Sequence, residues 1–318
     1  MTDRYPSILF ASVVAALSLL LVSGACTAVG VEAGKRILTD ASGVTIPIVR
    51  DAKKIVTLAP NLTEIVCSLG LGENLVGVSS YSNYPKEVNA LPKVGGFAAL
   101  NVEMIASLTP DIVLATMDGN SEIDINKLRS LGIAVFCVFP NDMQGLLKAI
   151  GQLGKLLGRE DSANGLVANI EQSVRNVRAS AEKLGKARGR PKVLITLDTK
   201  PIVSASTQTF IGELVQIAGG NNVIGSNPIR YPRLSLETII ASAPDVILAT
   251  GHGSHASVLA DLRQLERWKD IPAIKNGRVY SLDPDLATRQ GPRVVEALKI
   301  IQDHLFPDEH IAPGLTGP

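Results

Sequence analysis

Aromatic side chains are scarce in this 318-residue chain, at 4% of positions with a single tryptophan. Cysteine is scarcer still: there are three, with no Cys-x-x-Cys pair, which argues against a zinc ribbon, an iron–sulfur cluster and a disulfide-stapled mini-domain. Neither sign of charge dominates. Lys plus Arg number 31 and Asp plus Glu 30, a formal net charge of +1, whereas a duplex-binding protein carries a concentrated basic excess; nucleic acid is not an expected partner. Catalytic signatures are missing as well. The chain has no Gly-x-Ser-x-Gly elbow, no His-Glu-x-x-His, no Gly-x-x-x-x-Gly-Lys-Ser/Thr loop and no Gly-x-Gly-x-x-Gly after a strand. Nothing joins a nucleophile to a base, so an enzyme is not expected. With 46% hydrophobic and 19% charged residues, the chain can bury a sizeable core, which excludes wholesale disorder.

What is present begins with a leader. Arg4 precedes the apolar run ILFASVVAALSLLLVSGA (8–25), and Cys26 follows it. A short basic start, an apolar stretch and small residues before a cleavage point read as a secretory signal over 1–26. At 18 residues the run could also just span a bilayer as a retained anchor. Gly24-Ala25-Cys26 looks like the end of a lipoprotein signal, with Ser23 where that motif prefers Leu, and makes Cys26 the candidate for lipidation. Either processing places the working domain in the periplasm or on the outer face of the cell membrane.

The mature chain alternates strand-like and helix-like stretches. Candidate strands are IVTL (55–58), LVGV (75–78), DIVLA (111–115), IAVFCVF (133–139), KVLITL (192–197), DVILA (245–249) and GRVYSL (277–282). Each is a short apolar run bounded by Gly, Pro, Asn or Asp, as for strands buried on both faces in βαβ units. Between the two groups, Asp161 to about Lys186 lacks proline and repeats Leu166, Ile170, Val174, Val177 and Leu184 at helical spacing. A helix of about 26 residues, roughly 39 Å, could bridge two lobes. The segments LNVEMIASLTPDIVLAT (100–116) and LSLETIIASAPDVILAT (234–250) align without a gap, identical at eight of 17 positions. A duplicated helix–Pro-Asp–strand unit on each side of a long helix predicts an N-terminal lobe (36–145), connecting helices (146–188) and a C-terminal lobe (189–308), with a small-molecule site between the lobes.

Because aromatics are few, their placement carries information. Tyr81, Tyr84, Phe97, Phe210 and Tyr231 all fall in expected loops, and Tyr81 and Tyr84 directly follow the strand LVGV, where open α/β sheets bind ligands. Such rings suit a large, flat, apolar-to-mixed solute, or else plug the rim of each lobe's own core. Glu103 and Glu237 hold equivalent places in the repeat, after the expected helix caps Asn101 and Ser235; they read as dipole-favoured first-turn acids or as matched docking points. His252 and His255 are the only close histidine pair and lack a neighbouring carboxylate at ligand spacing, so no metal site is expected. Asp283 and Asp285 sit in a proline-containing turn. Cys67, in a helix, and Cys137, in a strand, read as buried free thiols.

Together RDAKKIVTLAPNLTEIVCSLGLGENLVGVSSYSNYP, LPKVGGFAALNVEMIASLTPDIVLA, FIGELVQIAGGNNVIG, YPRLSLETIIASAPDVILA and IPAIKNGRVYSLDPDLATRQGPRVVEAL cover most of residues 50–300. In these stretches the chain resembles the periplasmic substrate-binding proteins of ABC importers for cobalamin and iron chelates. The resemblance implies an α/β fold of two Rossmann-like lobes, each with a central, mostly parallel sheet, joined by a single long α-helix. It implies a monomer without a resident cofactor that hands its solute to a permease dimer with a cytoplasmic ATPase. Tyr-Ser-Asn-Tyr-Pro and Val-Gly-Gly-Phe look most like the cobalamin-binding branch. On that likeness Tyr81, Tyr84, Phe97, Phe210 and Tyr231 face a corrinoid, Asp285 and Arg289 lie at the rim, and Glu103 and Glu237 pair with permease arginines. The cobalamin branch has more tryptophan around its ligand than the single Trp268 here, which leaves haem and ferric siderophores as competing cargoes. Arg230 and Arg233 would suit a siderophore, and Tyr84 or His252 a haem iron. The rival classes are a metal-dependent hydrolase built on His252, His255 and Asp283, and a chelatase-like enzyme.

Overall fold

A computed structural model describes residues 37–199, 201–251 and 269–307. It opens with an antiparallel hairpin, β1 (Ile37–Thr39) and β2 (Thr45–Pro47). The first half continues through β3 (Ile55–Thr57), α1 (Pro60–Ser68), β4 (Leu75–Val78), α2 (Val102–Ser107), β5 (Ile112–Thr116), α3 (Glu122–Ser130) and β6 (Val135–Val138). Helices α4 (Met143–Leu156) and α5 (Glu160–Arg188) follow. The second half holds β7 (Lys192–Thr199), β8 (Ile202–Ser204), α6 (Phe210–Ile217), β9 (Asn221–Asn222), α7 (Leu236–Ser242) and β10 (Val246–Ala249). It closes with α8 (Pro272–Lys275), β11 (Val279–Ser281), α9 (Pro284–Ala287) and α10 (Val294–Leu305). All seven expected apolar runs are strands.

Each half has its own sheet. The first runs β4-β3-β5-β6, parallel throughout. The second runs β11-β10-β7-β8, parallel except that β8 returns antiparallel along the far end of β7, while β9 pairs parallel with its start. Strand side chains alternate between faces, so each strand serves two cores. Val56, Val113, Ala115, Val135 and Cys137 pack under α2 and α3, and Leu194, Ile247 and Ala249 pack under α7 and α8. The opposite faces, among them Ile55, Ile112, Leu114, Phe136, Val193, Ile195, Val246 and Leu248, belong to one continuous apolar cluster.

Helices α1, α4, α5, α6 and α10 all contribute buried residues to that cluster. Helix α5 spans 29 residues, about 44 Å at 1.5 Å per residue and slightly longer than the sequence periodicity predicts. Its repeating apolar residues face the shared core: Ile170 is fully buried, and Leu166, Val174, Val177 and Leu184 pack against it. Gln302 of α10 donates a 3.0 Å bond to the Val177 carbonyl, tying the last helix to the bridge.

The repeat folds alike twice. Asn101 caps α2 by accepting from Met104 N at 2.9 Å, and Ser235 caps α7 by accepting from Thr238 N at 3.2 Å. Each helix is then followed by a non-glycine residue in left-handed conformation ahead of proline, Thr109 (φ 48°) and Ala243 (φ 43°). The aspartate after each proline grips the start of the neighbouring strand: Asp111 accepts from Lys53 N and Lys54 N, and Asp245 accepts from Lys192 N.

Candidate binding site

The carboxyl ends of the first sheet's strands carry the exposed rings. After β4 the chain enters a long loop whose base is pinned. Buried Thr63 shares hydrogen bonds with Thr57 at 2.7 Å and Ser82 at 2.8 Å, and Lys93 donates from Nζ to the carbonyls of Ser82 and Val88. Burial lowers the Lys93 pKa from its ordinary value. On this base Tyr81 stacks on Phe97, ring centroids 5.2 Å apart and 15° from parallel. The pair fits because Gly95 turns the chain at φ +111°, where a Cβ would lie 2.5 Å from the Ala99 carbonyl oxygen. Gly119, after β5, lies against the Phe97 ring, where a Cβ would come within 3.3 Å of it. Tyr81 is 55% exposed and Tyr84 47%. Met117 and Phe139, which follow β5 and β6, are also exposed and were not singled out from the sequence. Their position just past a strand end was the available signal.

The second lobe sends charge to the same place. Arg289 donates from Nη1 to Asn83 Oδ1 at 2.8 Å and from Nη2 to the Tyr81 carbonyl at 3.1 Å. It also pairs with Asp285 at 2.7 Å, and Asn83 Nδ2 donates to the other Asp285 oxygen at 2.8 Å. The guanidinium of Arg293 lies over the Tyr84 ring, 4.2 Å from its centroid. Both arginines converge on Glu64 of α1. Arg293 makes a forked contact, Nε to Oε2 at 3.1 Å and Nη2 to Oε1 at 2.7 Å, and Arg289 Nη1 reaches Oε1 at 3.3 Å. Burial works against the Arg293 charge, but the hydrogen bond and charge of Glu64, with Tyr84 and Asp283 adding, raise its pKa above the ordinary value. Thus Tyr81, Tyr84, Asp285 and Arg289 meet at one seam, joined by Glu64, Asn83 and Arg293, which sequence reasoning missed. A signal for Glu64 existed: it is an acid inside Leu-Thr-Glu-Ile-Val, in a helix buried from Pro60 to Val66, and such a carboxylate demands a distant cation.

The remaining expected site residues scatter. Tyr231, in the second lobe, is 48% exposed. Desolvation raises its pKa, with the charge of Arg230 opposing and that of Asp118, in the loop after β5, adding. Phe210 differs from the expectation: it is the first residue of α6, 2% exposed and packed into the shared core, so its ring presents no face to a solute. Glu103 and Glu237 are exposed in the first turns of α2 and α7. The Glu103 pKa is lowered by its own backbone N–H and by Lys127, 3.1 Å away. Asp283 caps α9 by accepting from Asp285 N, as a turn former would. Cys26, His252, His255 and Trp268 lie outside the described residues. Among the described residues no cluster of three His, Cys, Asp or Glu could hold a metal ion, and no helix is long and apolar enough to cross a membrane.

The arrangement sets a slightly tilted ring pair beside a band of paired charges, a surface that suits a flat solute. A family model described as periplasmic binding protein matches residues 55–286. An uncharacterized ABC transporter substrate-binding lipoprotein of Bacillus subtilis, YvrC, is 34% identical over 278 residues, covering 85% of each chain. A vitamin B12-binding protein of Vibrio campbellii is 30% identical over 270 residues, 84% of this chain and 93% of that one. The crystal structure of S. aureus IsdE complexed with heme superposes with a TM-score of 0.68 at 27% identity, over 80% of this chain and 98% of that one. Fold and relatives converge: the chain belongs to the periplasmic binding protein family, as the extracytoplasmic solute-binding component of an ABC importer rather than an enzyme.

Proposed function

We propose that the solute is a corrinoid, cobalamin, held where the lobes meet. The observation that carries this is the half-exposed Tyr81 ring stacked on Phe97 beside Tyr84, a flat wall bordered by Asn83, Asp285 and Arg289. A corrin ring offers a flat apolar face, and its amide-bearing rim matches a border of amides and paired charges. Tyr231, 48% exposed in the second lobe, is assigned to the solute's other side. The vitamin B12-binding relative supports the assignment. The protein then acts as a monomer, tethered through lipidated Cys26, and docks one glutamate per lobe, Glu103 and Glu237, on a permease dimer served by a cytoplasmic ATPase. Exposure of both acids at equivalent helix starts supports that role.

Haem or a ferric siderophore is the second reading, favoured by Arg230, whose buried Nε has no hydrogen-bond partner among the described residues. Carboxylates would satisfy it, and the structural likeness to IsdE with heme fits. Calorimetric titration of the full chain with cyanocobalamin, haemin and a ferric siderophore decides. One-to-one cobalamin binding, weakened at least tenfold by Tyr84→Ala, is the expected result; tight binding of haemin or siderophore alone would replace the cargo. Glu103→Ala with Glu237→Ala leaves the titration unchanged and stops uptake; lost affinity would refute the docking role.

A further inference from the structure

Glu64 belongs to no ligand wall and no docking surface, yet it is the most buried acid at the seam, with its side chain 2% exposed. It holds two arginines delivered from more than 220 positions along the chain. Each arginine is itself largely buried, 12% exposed for Arg289 and 18% for Arg293. Nη1 and Nη2 of Arg289 already donate to Glu64, Asn83, Asp285 and the Tyr81 carbonyl. Arg293 spends its fork on Glu64 and its cationic face on Tyr84. Two guanidiniums therefore face two carboxylates, Glu64 and Asp285, with exposed Asp283 as a further negative group near Arg293. At this seam both guanidiniums are thus paired with carboxylates.

The geometry points to Glu64 as a positioning residue for solute choice: by neutralising Arg289 and Arg293 it makes this end of the site accept uncharged amide groups and disfavour carboxylates. This rests on the reading that the solute lies against Tyr81 and Tyr84. Without Glu64, Arg293 would be a buried cation beside the wall, and such a cation recruits an anion. Without Arg293, the surplus would be negative. The two losses must push selectivity in opposite directions, which a merely structural role for the cluster would not do.

Matched ligands that differ only in charge test this. One pair is cyanocobalamin and its monocarboxylate, in which one peripheral propionamide is hydrolysed; the other is haemin and its dimethyl ester. In the purified full chain, Glu64→Gln should raise the affinity ratio of carboxylate to neutral partner about threefold, and Arg293→Gln should lower it by a similar factor, as expected for one unit charge near solvent. A ratio that stays fixed, or moves the same way in both variants, overturns the proposal. Binding of the haem pair alone refutes the cargo assigned above while the ratio still judges Glu64. Inorganic sulfate supplies an arm that needs no cargo. Glu64→Gln should gain a sulfate-dependent rise in thermal midpoint beyond that of the unmodified chain, and Arg293→Gln should not; equal rises in all three overturn it.

Discussion

The two lobes share a duplicated unit but end their strands differently, the first in rings and the second in charges. In both, a capped short helix turns through a left-handed residue and a proline, and an aspartate fastens the next strand to its neighbour. The matched parts are those that build a sheet. The divergent parts lie past the strand ends: Tyr81, Tyr84 and Phe97 on loops on one side, Asp285 in the short helix α9 with Arg289 and Arg293 just after it on the other. Duplication thus conserved the scaffold's local chemistry and left the loops facing the seam free to specialise. One lobe contributes exposed rings, and the other contributes the arginines paired beside them.

The lobes are distinct in sheet but not in core, and the largest expected effect tests that. Ile170 lies fully buried in α5, within the apolar cluster both sheets share. Ile170→Ala should cost about 2–4 kcal/mol. Because the core is continuous, urea unfolding followed by circular dichroism and by tryptophan fluorescence should give coincident single transitions in the native chain, shifted together in the variant. Two separated transitions would show that the lobes are independent bodies joined only by chain.

A smaller effect separates the lobes by pH. Beyond the leader, both cysteines belong to the first lobe. Burial pushes the Cys67 thiol up to about 11, with Glu64 and Glu87 adding, and burial with Asp40 pushes Cys137 to about 11. In the unfolded chain both titrate near the ordinary value of 9.0. The folded state therefore holds its protons longer, so the thiols' contribution is complete below pH 9 and is lost as pH rises towards 11. Stability measured across that window should fall, and Cys67→Ala with Cys137→Ala should flatten that component of the slope. An unchanged slope would assign the loss to other groups.

Much of the fold is legible in the sequence for physical reasons. Strands buried on both faces announce themselves as apolar runs, and α5 announces itself by spacing, so both survive translation from sequence to structure. The two-residue β9 and the three-residue strands β1, β2 and β8 carry too few side chains to set a period. Phe210 was misplaced by one structural step: Thr209 caps α6 by accepting from Gly212 N, which makes Phe210 helical and turns it into the core. The seam was invisible because Glu64 and Arg293 are 229 positions apart. Scarce aromatics pointed to the stacked Tyr81 and Phe97; no local pattern points to a partner as distant as Arg293.

The finest expected difference lies in the repeat's turn. Thr109 and Ala243 occupy the same left-handed place, which strains any residue with a Cβ. Replacing either with glycine removes that strain and adds unfolded-state entropy, a partial offset. Ala243→Gly should therefore stabilise by about 0.5–1 kcal/mol, since its methyl group is all that is lost. Thr109→Gly should gain less, because the Thr109 hydroxyl also accepts a 2.8 Å bond from Lys54 Nζ. Paired urea midpoints resolve the order. If Thr109→Gly gained as much as Ala243→Gly, the exposed bond to Lys54 would be worth nothing and the two turns would be energetically identical; if both lost stability, the left-handed turn would be held by packing strong enough to cancel its strain.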